Sequence, residues 1–155
     1  MASSLPPPEV QARIVCSIAA AERFGLPASV MLAVAQIEGG RPGLARRNTN
    51  GTYDLGPMQL NTAWLAELRP YGVDPRWALA GGCYPYQLAA WRIRGHLVRD
   101  GGDYWTRVAN YHSRTPSRNR PYRAQVIVSA GRWDDWLQRL KAVQQQKARA
   151  LGGAR

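Results

Sequence analysis

Apolar positions recur at helical spacing from the first part of the chain. Val10, Ile14, Ile18 and Ala21 share one face of a segment over 9–24, and Gly25 supplies a stop. Pro27 suits the opening turn of a second helix ending at Glu38. Its run Val30-Met31-Leu32-Ala33-Val34-Ala35-Gln36-Ile37 is apolar on nearly every face, which predicts burial. A third helix is predicted over 61–68, with Trp64 and Leu68 on one side. A fourth spans 85–99, striped by Tyr86, Ala90, Ile93 and Leu97. Asp103 caps a short helix carrying Tyr104, Trp105 and Val108. Residues 113–120 form a polar, Arg-rich loop, after which 121–130 regains helical character. Beyond Gly131 the composition changes, and Trp133, Trp136, Leu137 and Leu140 suit docking of a last amphipathic helix.

The interval between the second and third helices has a different pattern. Asn50-Gly51 is a tight-turn signal between residues suited to short strands, so a small hairpin is expected before Gly56. Gly56-Pro57-Met58-Gln59 then has the form of a turn entering a helix. These elements predict a mainly α fold with one small β-hairpin. The expected organisation is an extended, Pro-rich lead-in over 1–8, a single domain over 9–140, and a basic, Gln-rich, frayed tail over 141–155. No internal repeat is present.

Glu38 stands out chemically, because a nearly all-apolar helix delivers a lone carboxylate from the core into the space beyond Gly39-Gly40. Burial and the negative end of the helix dipole both disfavour its anion and push its pKa upward. That is the environment of a general acid. The plain alternative is a helix-terminal Glu turned out to solvent.

Glu38 closing an apolar helix, the Gly56-Pro57-Met58-Gln59 turn, and an aromatic-polar motif at Tyr111 together resemble the soluble lytic transglycosylase family of lysozyme-like enzymes. The resemblance covers residues 11–128. In detail it is closest to the small transglycosylases of conjugation and specialised secretion systems: Glu38-Gly39-Gly40, the Asn-Thr-Asn-Gly-Thr-Tyr-Asp run over 48–54, and Tyr111-His112-Ser113 match their pattern. Two positions depart from the broader family. Gly39 stands where a Ser commonly follows the catalytic Glu, and His112 where an Asn commonly follows the motif tyrosine.

The resemblance implies a lysozyme-like α+β domain that cleaves the β-1,4 bond between N-acetylmuramic acid and N-acetylglucosamine in peptidoglycan, leaving 1,6-anhydromuramyl ends. Glu38 would be the catalytic acid and then base. Gly56, Met58, Gln59, Tyr111 and His112 would serve substrate binding, with Met58 lining the cleft and Tyr111 supporting Glu38 or the sugar's N-acetyl group. No metal or organic cofactor is implied. Peptidoglycan strands are the expected partner, with components of a secretion or conjugation apparatus as further partners. The chain is expected to act as a monomer in the periplasm or cell envelope.

Asp54 is expected in the hairpin turn immediately before the Gly-Pro-Met-Gln motif and keeps a second enzyme open. A muramidase using Glu38 and Asp54 would employ the two carboxylates typical of glycoside hydrolysis; otherwise Asp54 simply makes local turn hydrogen bonds. From another class, a non-catalytic cell-wall or nucleic-acid binding module would also explain the charge and the aromatics. No nucleic-acid motif appears, and no nucleic-acid partner is expected.

The net charge of +11, nearly all of it from Arg, implies an anionic partner such as peptidoglycan carboxylates, a membrane surface or nucleic acid. Cys16 and Cys83 would form one disulfide in an oxidising compartment or remain two buried thiols, and related secretion-associated members often carry a cysteine at both positions. Their scattered spacing with two His matches no zinc pattern. No segment is long and apolar enough to span a bilayer, and residues 1–8 lack the basic and apolar regions of a signal peptide. Trp64, Trp91 and Trp105 sit at core spacing and are expected to pack inside.

Overall fold

The computed structural model describes residues 6–153. The first five residues of the expected lead-in over 1–8 and the last two residues of the tail lie outside the described residues.

Among the described residues there are six α-helices and a small sheet: α1 (Pro8–Phe24), α2 (Ala28–Glu38), α3 (Thr62–Glu67), α4 (Tyr84–Arg99), α5 (Tyr104–Ala109) and α6 (Pro116–Gly152). Strands β1 (Ala45–Arg47), β2 (Tyr53–Leu55) and β3 (Leu60–Asn61) lie between α2 and α3, and two short 3-10 turns follow α3. The fold is mainly α with one antiparallel sheet of order β1-β2-β3.

Helix α2 is the centre of the core. Residues Val30, Met31, Leu32, Ala33, Val34 and Ala35 are all buried, as an apolar surface on every face requires. Helices α1 and α6 pack against it, α4 lies against α1, and α5 is held between α4 and α6. A disulfide joins Cys16 of α1 to Cys83, which immediately precedes α4. Asp103 caps α5 as the sequence predicts, accepting from the Thr106 amide at 2.7 Å, and Asn61 caps α3 by accepting from the Ala63 amide at 2.9 Å. Among the described residues no helix is long and apolar enough to cross a membrane.

The turn at Asn50-Gly51 joins β1 to β2. The Asn48 amide donates to the Thr52 carbonyl at 2.8 Å, and the Asn50 side chain accepts from the Thr52 amide at 3.1 Å. The register sets Asp54 opposite Arg46 on one side and opposite Asn61 on the other. Asp54 is therefore a strand residue, not a turn residue, and the hairpin is extended by a two-residue third strand.

Three other expectations are corrected. The 113–120 loop ends early, because Pro116 at the first turn already starts α6. No break occurs at Gly131: α6 runs on for 37 residues to Gly152, including most of the segment expected to fray. A single helical Gly costs only about 1 kcal/mol, and the following Gln, Arg, Leu, Lys and Ala residues are good helix formers. Trp91 is 41% exposed rather than buried, and it packs beside Trp64 with ring centroids 6.1 Å apart.

Candidate active site

Glu38 is the last residue of α2 and lines a cleft of about 910 Å³. The same cleft is lined by Asp54 from β2, Gln59 from the turn after it, Trp64 of α3, Arg92 of α4, and Tyr111 and His112 after α5. Five residues named from sequence thus meet in one concavity: Glu38, Asp54, Gln59, Tyr111 and His112.

Burial raises the Glu38 pKa from its ordinary 4.5 to about 7. The Tyr122 hydroxyl, which donates to Oε2 at a loose 3.4 Å, opposes the rise. The charge of Asp54 adds to it, and Arg92 and Arg46 pull it back. Near neutrality the group divides its population between acid and base, which suits both giving and taking a proton. Asp54 is differently placed. Its Oδ1 accepts from the Asn61 side chain at 3.0 Å across the β2–β3 pair.

The Gly-Pro-Met-Gln turn is held from beneath. A Cβ on Gly56 would fall 1.8 Å from the Ala78 carbonyl oxygen, and one on Gly40 would fall 2.1 Å from the Gly56 carbonyl oxygen. No side chain larger than hydrogen fits at either point, so the segment after Glu38 and this turn touch backbone to backbone. Gly56 accordingly acts as a spacer in the scaffold and does not line the cleft. Gln59 has φ +52, a left-handed conformation unusual for a residue with a side chain. Its Nε2 donates to the Gly56 carbonyl at 2.9 Å, fixing the amide at the cleft edge.

The structure corrects two expected contacts. Met58 is fully buried and does not line the cleft; its apolar side chain fills the core while its carbonyl serves the site. Tyr111, itself buried, donates its hydroxyl to that carbonyl at 2.6 Å. The proton of Tyr111 is thereby committed to the backbone turn. The tyrosine that reaches Glu38 is Tyr122 of α6, on whose ring His112 stacks at 4.7 Å with planes 4° apart.

Sequence reasoning missed Tyr122, Arg92 and the cleft-facing placement of Trp64. Arg92 lies on a face of α4 well away from its apolar stripe, and its guanidinium lies 4.9 Å from the Trp64 ring and 5.2 Å from the Tyr111 ring. Tyr122 offered no signal beyond helical spacing, since its approach to Glu38 depends on how α6 crosses α2.

Over 135 residues the chain is 24% identical to the invasion protein IagB of Salmonella typhi, an overlap covering 85% of this chain and 82% of that protein. Over 112 residues it is 28% identical to protein IpgF of Shigella flexneri, covering 72% of this chain and 73% of that one. Both are homologues of this chain. No family model matches it.

Proposed function

We propose that this chain is a peptidoglycan lytic transglycosylase, cleaving the bond between N-acetylmuramic acid and N-acetylglucosamine with formation of a 1,6-anhydromuramyl end. The observation that carries the reading is Glu38: a single carboxylate at the end of a buried helix, lining a cleft of about 910 Å³, with its pKa raised to about 7. In its acid form Glu38 protonates the glycosidic oxygen as the C1–O bond breaks and the sugar develops oxocarbenium character. The resulting carboxylate then takes the proton of the muramyl 6-hydroxyl as that oxygen closes on C1. Glu38 ends protonated as it began, and no water is consumed. Tyr122 steadies the carboxylate, Gln59 and His112 contact the glycan, and Tyr111 holds the turn that carries Gln59.

The disulfide supports an oxidising compartment, which fits the periplasm or cell envelope. Homology to a protein named for invasion supports local wall opening for a secretion or transfer apparatus. Digestion of purified sacculi tests enzyme against binding module: the parent chain releases soluble fragments and Glu38→Gln does not. A parent chain that binds sacculi without releasing any fragment refutes the reading.

A second enzyme reading has its own support. Asp54 shares the cleft with Glu38 and raises its pKa by charge, as the second carboxylate of a hydrolytic muramidase would. It differs from the first in its product, a reducing muramyl end.

A further inference from the structure

We infer that the wall of the cleft formed by α4 and the start of α6 is a carboxylate-binding subsite. The inference rests on the peptidoglycan reading above and adds the feature of the strand that this wall recognises. Arg92, Arg99, Arg114 and Arg118 all line it. Among the described residues only Arg114 of these four is paired with an acid, through Asp100 at 3.1 Å. Arg99 and Arg118 face the cleft with no carboxylate of their own, so a bound anion meets cations that are free to take it.

The wall is rigid. Asp100 accepts from His96 Nδ1 at 2.6 Å, from the Asn110 side chain at 2.9 Å and from Arg114 at 3.1 Å. Asn110 is held in turn by buried Asn119 at 2.9 Å. These bonds occupy Asp100 and hold the guanidinium of Arg114, whose side chain is still 67% exposed. Arg114 is therefore set in place before any ligand arrives, while Arg99 and Arg118 make no side-chain bond among the described residues.

Two buried polar atoms on this wall lack partners. His96 Nε2 and Arg92 Nε make no hydrogen bond, although both residues line the cleft and the His96 side chain is only 7% exposed. With its Nδ1 proton given to Asp100, His96 offers Nε2 as an acceptor, whereas Arg92 Nε is a donor. Buried groups of this kind are normally satisfied, and both atoms are closed to solvent, so a ligand group completes them only with a shift of the side chains around them. An amide N–H next to a carboxylate supplies both halves.

In peptidoglycan the carboxylate comes from the stem peptide or, on strands stripped of peptide, from the lactyl group of muramic acid. Tryptophan fluorescence reads binding to the intact chain, since Trp64 lies in the cleft. The probes are a peptide-bearing muropeptide, its amidase-treated peptide-free counterpart, and uncharged chitotetraose. Arg114→Gln and Arg118→Gln are each expected to weaken a carboxylated probe about 10-fold and to leave chitotetraose unchanged. Arg118 has no side-chain partner among the described residues, so its replacement leaves the Asp100 network intact. Loss confined to the peptide-bearing probe assigns the stem-peptide carboxylate, and loss that includes the peptide-free probe assigns the lactyl group. Parent-like affinity of both variants for both charged probes overturns the subsite, as does a parent chain that binds none of them or all three alike. Binding needs no turnover. A chain that discriminates among the probes yet leaves sacculi intact refutes the transglycosylase reading while this inference stands.

Discussion

A carboxyl group whose proton is held more tightly in the folded chain than in the unfolded one costs stability when it ionises. Glu38 is such a group, with its pKa raised from 4.5 to about 7 mainly by burial. The cost is absent below about pH 4.5, grows as pH rises toward 7, and is complete above 7. The gap corresponds to about 3 kcal/mol at most. Glu38→Gln is therefore expected to abolish cleavage and, at pH 8, to melt several degrees above the parent chain. Calorimetry at pH 4 and pH 8 checks this, with little difference expected at the lower value. The neighbours of Glu38 give two shifts of opposite sign. Asp54→Asn removes a charge that raises the pKa, and Tyr122→Phe removes a hydrogen bond that lowers it. The alkaline fall in activity should move to lower pH in the first variant and to higher pH in the second.

At the scale of elements, the segments that periodicity and capping described were the ones whose contacts are local. Helices α1 to α5 follow the apolar spacing and, at α5, the Asp103 cap, and Glu38 was legible because its helix is apolar on nearly every face. What escaped depends on long-range placement. Met58 faces the core, Tyr111 bonds its carbonyl, and Tyr122 reaches Glu38 across 84 residues of chain. The third strand is two residues long, too short for any alternation to show. Tolerance at the Gly-Pro-Met-Gln turn follows from its packing. Gly56→Ala places a methyl group 1.8 Å from a backbone oxygen at φ +69, so a loss above about 2 kcal/mol is expected in denaturant titrations.

For the molecule as a whole, the Cys16–Cys83 bridge closes a separation of 67 residues between α1 and α4. In the chain-entropy model a loop of that length contributes about 4 kcal/mol, a large share of the stability of a domain this size. Reduction, or replacement of both cysteines by Ser, should lower the denaturant midpoint accordingly without altering the products of any remaining activity. Residues 141–152, by contrast, are exposed throughout α6. The core and cleft are complete without them. The central claim is that one carboxylate serves both proton transfers and water takes no part. Mass spectrometry of the fragments released from purified sacculi tests it most directly, because an anhydromuramyl end and a reducing end differ by one water. The account predicts anhydromuramyl ends from the parent chain and from Asp54→Asn alike. Reducing ends alone from the parent, with Asp54→Asn inactive, would contradict it.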